Sequence, residues 1–169
     1  MKLHRPLLAV FFALLFSGIA VRAEAQIGVY AGFSGAPIGG SGATQSAFGP
    51  TFGVYKQSGR YISLGGDLRG TFLTRNGFNY FTGAAGPRLA IKPPVLGIRP
   101  YVEGLVGVAS VRDGNGSSSS TNLNYQILGG IDAAILPHID WRVIEFDYSA
   151  ATGSSVNAKI FTTGLVLRL

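Results

Sequence analysis

The chain has 169 residues, a formal net charge of +6 and no cysteine, so neither disulfides nor thiol chemistry is available to it. Glycine is abundant, at 25 residues, and only 13% of the residues are charged. The cations are scattered along the chain rather than clustered, which argues against nucleic acid as a partner. Length and composition together predict one domain.

Residues 1–25 predict a cleaved secretory signal peptide. Lys2, His4 and Arg5 form a positive start, residues 7–20 are mostly apolar, and Ala23-Glu24-Ala25 supplies a small-x-small cleavage site. The apolar run is about 14 residues long, whereas a membrane-spanning helix needs roughly 20. We therefore expect an exported mature chain, residues 26–169, with 11 Lys and Arg against 7 Asp and Glu.

Turn signals divide the mature chain into segments of alternating polarity. The eight predicted strands are 27–34, 49–57, 61–73, 79–91, 98–111, 123–135, 141–151 and 157–169. Most are close to the 9–11 residues that a tilted membrane strand needs. The pattern predicts an all-β fold, an eight-stranded antiparallel up-and-down transmembrane β-barrel.

The predicted connections alternate in length. Short turns at 58–59, 92–97 and 136–140 are expected on the periplasmic side. The longer connections, expected to be extracellular loops, are rich in Gly, Ser and Thr and are 36–48 and 112–122, with smaller ones at 74–78 and 152–156.

Charged residues fall on one face of the predicted strands, opposite Ile, Leu, Val and Phe. A lipid-facing Arg or Lys at the bilayer midplane costs roughly 2–4 kcal/mol, so the charged face is expected to point inward. The predicted lumen charge network is Asp67, Arg69, Arg88, Glu103, Asp132, Glu145, Asp147 and Arg168. By the same alternation Lys56, Arg142 and Lys159 point outward, near strand ends where basic side chains can reach lipid headgroups.

Aromatic residues and prolines give further expectations. Phe72, Phe81, Tyr125 and Tyr148 lie on the outward face near the loop side, which predicts an interfacial girdle. By simple alternation Tyr55, Tyr101 and Trp141 point inward, so either a bulge shifts them or they fill the lumen. Pro87 and Pro100 fall within strands and each removes a backbone donor, which predicts two bulges.

The C-terminal strand carries a specific pattern. Thr163, Gly164, Leu167 and Leu169 fit polar-Gly-x-x-apolar-x-apolar, which resembles the C-terminal assembly signal of bacterial outer-membrane barrels. In those proteins the last residue is usually Phe or Trp, and here it is Leu169. The strict alternation of this strand suits a wall between lipid and a polar lumen.

Four motifs in order extend this resemblance over residues 26–169. They are Gly86-Pro87-Arg88, Arg99-Pro100-Tyr101-Val102, Gly129-Gly130-Ile131-Asp132 and Trp141-Arg142-Val143-Ile144-Glu145-Phe146-Asp147-Tyr148. The chain resembles the OmpA/OmpX-like eight-stranded outer-membrane barrel family. The resemblance implies location in the outer membrane, with outer-membrane lipids and the barrel-assembly machinery as partners. Larger members of this family carry a peptidoglycan-binding domain after the barrel, and because the eighth predicted strand ends at Leu169 we expect no such domain here.

Several alternatives remain open at this stage. A soluble β-sandwich or lipocalin-like barrel has the same pattern with its faces reversed. For function, we expect a non-enzymatic structural or surface-interaction role with a lumen plugged by side chains. A narrow pore is the alternative, and five inward acids against three arginines favour cations as its solute.

An enzymatic role is the weaker alternative. A lipid-modifying outer-membrane enzyme is disfavoured because His138, the only histidine after residue 25, falls in a predicted periplasmic turn. No catalytic, cofactor or metal site is predicted, since one histidine and scattered carboxylates form no ligand cluster. The loops do not predict a particular surface partner.

Overall fold

The structure is a computed structural model that describes residues 25–40, 43–75, 78–94, 96–112, 119–152 and 157–169. The predicted signal peptide up to Glu24 and most of the predicted loop 152–156 lie outside the described residues. Within the described ranges, no helix is long and apolar enough to cross a membrane.

The described residues form eight antiparallel strands that close into a barrel in sequence order, with β8 pairing back onto β1. The strands are β1 (Gln26–Gly40), β2 (Ala43–Ser58), β3 (Ile62–Arg75), β4 (Phe78–Ile91), β5 (Ile98–Arg112), β6 (Ser119–Leu136), β7 (Ile139–Ala151) and β8 (Asn157–Arg168). The predicted eight-stranded up-and-down barrel is thus confirmed. Closure leaves no unpaired sheet edge.

The loop side of the barrel differs from the prediction because several strands run further than expected. Most of the predicted loop 36–48 is strand instead, since β1 runs to Gly40 and β2 begins at Ala43, and Ala36 pairs with Ala47 and Gly40 with Ala43. Similarly, β6 begins at Ser119, inside the predicted loop 112–122, and Arg112 pairs with Ser119. Small and hydroxylated residues predict loops, but here the backbone ladder continues through them.

The two predicted proline bulges are absent, and those predictions were wrong. Pro87 pairs with Gly66 on β3, while the β4–β5 ladder omits Gly86 and Pro87 and resumes in the same register. Pro100 pairs with Ile131 with no change of register. At Pro87 the missing N–H coincides with the gap in the β4–β5 ladder, so no register shift is required there.

A register irregularity occurs instead on β7. Ile131 pairs with Ile144, but the next residue, Asp132, pairs with Arg142, so β7 contains one extra residue at Val143. The same irregularity is seen against β8, between Arg142 and Glu145. A bulge of this kind reverses which face the residues before it present.

The short turn between β2 and β3 depends on glycine. Gly59 has φ of +132°, a conformation that a residue with a Cβ rarely adopts. The other short connections join β4 to β5 and β6 to β7, at the same end of the barrel, which we call the turn end; the opposite end is the loop end.

Candidate functional site: the barrel lumen

The barrel is apolar outside and polar inside. Leu68, Val102 and Ile127 are 58%, 56% and 70% exposed on the outer wall. Among the described residues all six Asp and Glu side chains, Asp67, Glu103, Asp132, Asp140, Glu145 and Asp147, are buried within the barrel. The chemistry of the molecule is therefore concentrated in the lumen.

Six charged side chains form a continuous chain across the lumen, with positive and negative groups alternating. Arg69 pairs with Glu145, and Arg142 Nη1 lies 2.9 Å from the second oxygen of the same carboxylate. Arg142 Nε and Arg88 Nη2 contact the two oxygens of Asp132 at 3.0 Å and 3.1 Å. Arg88 also pairs with Glu103. The three carboxylates in this row of six side chains, Glu103, Asp132 and Glu145, each have a cationic partner, which offsets the cost of burying their charge.

Tyrosine side chains fill the space around these arginines. The guanidinium of Arg88 lies 3.7 Å from the ring centre of Tyr101, and that of Arg142 lies 4.1 Å from the ring centre of Tyr30. The Tyr101 hydroxyl donates to Glu145 Oε2 at 2.6 Å. The rings thus provide both cation–π contacts and hydrogen bonds to the buried charges.

Inward-facing glycines make room for these rings. A Cβ at Gly130 would lie 2.6 Å from the Tyr101 hydroxyl oxygen, and one at Gly53 would overlap the Tyr30 hydroxyl. Glycine is therefore required at these two positions, because a side chain at either would displace an aromatic ring from the lumen.

The turn end of the lumen is closed by a separate charge cluster. Asp140 accepts from Arg99 and lies 2.9 Å from Arg168 Nε through the same oxygen, Oδ2. Arg168 Nη2 also donates to the carbonyl of Pro137 at 2.9 Å. This cluster ties the start of β5, the β6–β7 turn and the end of β8 together.

Toward the loop end, charge gives way to hydroxyl groups and then to an apolar layer. Ser34, Thr51, Thr71 and Thr162 are linked by hydroxyl hydrogen bonds of 2.5–3.0 Å. The apolar layer beyond them consists of Ala36, Ala47, Leu73, Tyr80, Ala109, Ala158 and Ile160, all at most 3% exposed. Side chains therefore fill the lumen at this level too.

Some buried polar atoms have no hydrogen-bond partner among the described residues. They include Asp147 Oδ1, Asp67 Oδ2 and both side-chain polar atoms of Gln126. Asp67 accepts from the Tyr30 hydroxyl at 2.8 Å through its other oxygen. Groups of this kind are usually satisfied by internal water, so this part of the lumen is suited to hold water molecules.

The structure places all eight predicted lumen charges on the inner face. Seven are at most 4% exposed, and Arg168 is half-buried at the turn end. Lys56 and Lys159 are exposed, as expected.

The prediction for Arg142 was wrong. It lies in the lumen, 1% exposed, because the β7 bulge reverses the face on which the preceding residues lie. The same bulge turns Trp141 outward, to 45% exposure, whereas Tyr55 and Tyr101 remain in the lumen.

Sequence reasoning also missed two turn-end residues, Arg99 and Asp140. Arg99 falls at a predicted strand start and Asp140 at the end of the predicted turn 136–140, where a charged residue is usually explained by contact with water. The alternation of β7 from Asp140 offered a signal, since Asp140 and Arg142 share one parity while Glu145 and Asp147 share the other.

The predicted girdle residues lie on the outer wall. Phe72, Tyr125 and Tyr148 are 39–46% exposed, and Phe81 is half-buried with its ring centre 4.5 Å from that of Phe72. In the C-terminal pattern, Leu167 and Leu169 are also exposed. Thr163 accepts from Trp141 Nε1 at 3.2 Å and donates to the Arg142 carbonyl at 3.0 Å, next to the bulge.

Within the described ranges, no group of three or more His, Asp or Glu side chains is arranged to hold a metal ion. In the row of six charged side chains, arginines and carboxylates pair with one another.

No family model matches the sequence, and no curated protein matches it either. Solved structures do match. Neisserial surface protein A is 16% identical, with a TM-score of 0.66 over 83% of this chain and 96% of that one. Ail, the attachment invasion locus protein of Yersinia pestis, is 14% identical, with a TM-score of 0.56 over 86% and 99%; it was solved with the heparin analogue sucrose octasulfate.

A third match is the outer membrane enzyme PagL, 16% identical, with a TM-score of 0.50 over 83% of this chain and 98% of that one. Likeness at this level of identity establishes the fold. The chain therefore has the fold of the eight-stranded outer-membrane β-barrels, the OmpA/OmpX-like architecture that its sequence predicted.

Proposed function

We propose that this chain is a non-enzymatic integral outer-membrane protein with a structural or surface-interaction role and a lumen closed by its own side chains. The observation that carries the proposal is the chain of ion pairs from Arg69 to Glu103, which lies between the Asp140 cluster and the apolar layer. An eight-stranded barrel is just wide enough for side chains to fill its interior.

Location in the outer membrane is supported by the outer wall. Large apolar side chains such as Leu64, Val106 and Leu165 are 55–57% exposed on several strands. A continuous apolar surface of this extent is unfavourable in water and is typical of contact with lipid. The predicted signal peptide and C-terminal assembly signal support the same location, with lipids and the barrel-assembly machinery as partners.

Conductance in planar lipid bilayers tests the closed lumen. The purified barrel is expected to insert without producing discrete current steps. A pore would instead give steps selective for cations, since acids outnumber arginines in the central lumen. Such steps should change in Glu103→Gln, in the lumen, and not in the control Lys159→Gln, which is exposed near the loop end.

The pore alternative is favoured by one observation, the unpartnered polar atoms near Asp147 and Gln126. Asp147 pairs with Ile160 on β8, so this region adjoins the apolar layer. A current would also require the arginine chain to rearrange, and that rearrangement would separate buried charges at high cost. We therefore place the pore second.

A surface-interaction role is supported by basic residues at the loop end. Arg75, Arg112 and Lys159 are exposed there, and the fold resembles that of Ail, which was solved with a polyanionic heparin analogue. A sulfated glycan is a ligand of matching charge. Retention on heparin that is lost in Arg75→Gln/Arg112→Gln, and kept in Lys56→Gln at the turn end, would support this role. Equal retention of the unmodified protein and of both variants would contradict it.

An enzymatic role rests on the likeness to PagL alone. His138 is exposed in the β6–β7 turn, and its carbonyl accepts the Arg168 N–H at 2.8 Å. This turn is at the opposite end from the loops, far from the outer leaflet in which lipid A is found. We expect no deacylation of lipid A, and detectable activity that His138→Ala abolishes would overturn the non-enzymatic proposal.

A further inference from the structure

The turn end of the barrel carries an excess of positive charge. Arg60, Lys92, Arg99 and Arg168 lie there, and among the described residues Asp140 is the one carboxylate that forms an ion pair with any of them. Asp140 is 1% exposed and already shared by Arg99 and Arg168. The other described carboxylates lie in the lumen, so the exposed side-chain charge here is positive.

Two neighbouring turns enclose a shallow cavity at this end. Its volume is about 450 Å³, and its walls include Arg60, Tyr61, Lys92, Pro93, Leu96 and Arg99. The Lys92 N–H donates to the Tyr61 carbonyl at 2.6 Å and joins the two turns. The Ala134 N–H donates to the Gly97 carbonyl at 2.7 Å and fixes the second turn to β6. The cations are therefore presented on a defined backbone.

Within the part of the chain that the structure describes, no carboxylate forms an ion pair with Lys92. Its Nζ donates only weakly to the Gly59 carbonyl, at 3.4 Å. Burial, together with the positive charges of Arg99, Arg168 and Arg88, lowers the pKa of Lys92. A lysine surrounded by other cations favours binding of an anion, because the anion would reduce the repulsion between the positive charges.

Apolar side chains adjoin these cations. Tyr61 and Leu96 are 53% and 59% exposed at the edge of the cavity, and the Arg60 guanidinium lies 5.4 Å from the Tyr61 ring centre. A basic cluster next to exposed aromatic and aliphatic groups suits the boundary between headgroups and acyl chains. A small soluble anion would not contact this apolar edge favourably, whereas the glycerol and acyl chain of a lipid would.

We propose that the Arg60–Lys92–Arg99 cavity binds the phosphate of an anionic phospholipid in the leaflet at the turn end, with Tyr61 and Leu96 against its glycerol and upper acyl chain. This inference rests on the membrane insertion proposed above. Each basic residue near an anionic headgroup strengthens binding roughly fivefold. Loss of two cations is therefore expected to weaken the enrichment of anionic lipid around the cavity by at least about fivefold.

Trp141 provides a reporter for the experiment. It is the single tryptophan of the chain, 45% exposed on the outer wall. It pairs with Ala133, which pairs with Ile98, so it lies two strands from the start of β5 and at the turn end. Brominated acyl chains quench tryptophan on contact, so its fluorescence reports which lipids surround this part of the wall.

The full barrel is reconstituted in phosphatidylcholine vesicles containing a small fraction of brominated lipid. Brominated phosphatidylglycerol is expected to quench Trp141 more than the same fraction of brominated phosphatidylcholine does. The excess should disappear in Arg60→Gln/Lys92→Gln and persist in the control Arg112→Gln/Lys159→Gln, which removes the same charge at the loop end.

Three outcomes would overturn the inference. Equal quenching by the two brominated lipids in the unmodified protein would show no preference, and an excess retained in Arg60→Gln/Lys92→Gln would place the preference elsewhere. Loss of the excess on adding millimolar inorganic phosphate would indicate a site for free anions. Failure of membrane insertion is a separate result, because Trp141 would then be quenched by neither lipid.

Discussion

Arg142 and Glu145 are three residues apart on one β-strand, yet both side chains point into the lumen and meet in an ion pair of 2.9 Å. On a regular strand, residues at this spacing lie on opposite faces. The extra residue at Val143 changes the parity of β7 and brings Arg142 into contact with both Glu145 and Asp132. The bulge is therefore what completes the charge chain across the barrel.

Replacing Arg142 with methionine should destabilise the barrel strongly. Glu145 and Asp132 would each lose a cationic partner while remaining buried, and breaking a buried ion pair costs about 3–5 kcal/mol. The effect is measured as the change in the free energy of unfolding in urea, with gel mobility used to detect the folded and unfolded forms. Lys56→Met, which removes an exposed cation from the outer wall, should change it by less than about 0.5 kcal/mol. Equal effects of the two substitutions would contradict the assigned role of the bulge.

Gly130→Ala should also destabilise the barrel, by about 1–3 kcal/mol, through overpacking. The new methyl group would lie 2.6–2.7 Å from the Tyr101 ring and hydroxyl, and 3.0 Å from the backbone oxygen of Ile144. Gly104→Ala is the matched control, because a Cβ there meets nothing within 4 Å. Unfolding of both variants under the same conditions makes the comparison, and a tolerated Gly130→Ala would show that Tyr101 is free to move.

A charge on the outer wall should be harmful near the middle of a strand and tolerated near its end. Leu68→Arg is expected to cost roughly 2–4 kcal/mol in a bilayer, whereas Thr74→Arg, at the loop end of the same strand, should cost about 0–1 kcal/mol. Folding yield into lipid vesicles measures the difference. If Leu68→Arg folds as well as Thr74→Arg, the outer wall does not face lipid.

Lys92 should become easier to protonate when a neighbouring cation is removed. Burial, then Arg99, Arg168 and Arg88, lower its pKa, so Arg99→Gln is expected to raise the pKa of Lys92 toward its usual range. Asp140 would then be shared by fewer cations, which acts in the same direction. Titration of ¹³C-methylated Lys92 by NMR measures the pKa, and an unchanged value in Arg99→Gln would contradict the proposed crowding.

Alternation alone predicts most of the strands and groups the charged residues on one face of them. Asp67 and Arg69 oppose Leu64 and Leu68 on β3, and one-residue slippage would expose every charge to lipid, so the sequence determines these faces. The position of the bulge on β7 is hard to predict, because Val143 and Ile144 are ordinary strand residues with no Gly or Pro to mark it. Simple alternation therefore predicts the wrong face for Arg142, whereas for Trp141 it leaves open the bulge that the structure shows.

The loop end was less predictable for a different reason. Ala36, Ser46 and Ala47 have low strand propensity, but the β1–β2 hairpin extends through them because pairing with the neighbouring strand decides the conformation. Pro87 predicts a bulge that is absent, since its missing N–H falls where the β4–β5 ladder has a gap. Both cases depend on partners across the sheet, which the local sequence does not specify.

The most direct test of an integral membrane barrel is the electrophoretic mobility of the protein from isolated outer membranes, with and without boiling in SDS. A closed barrel with its charges paired inside should stay folded in the unheated sample and change mobility on boiling. Recovery from the soluble periplasmic fraction with identical mobility in both samples would contradict the account, because the apolar wall could not then be the surface that faces lipid.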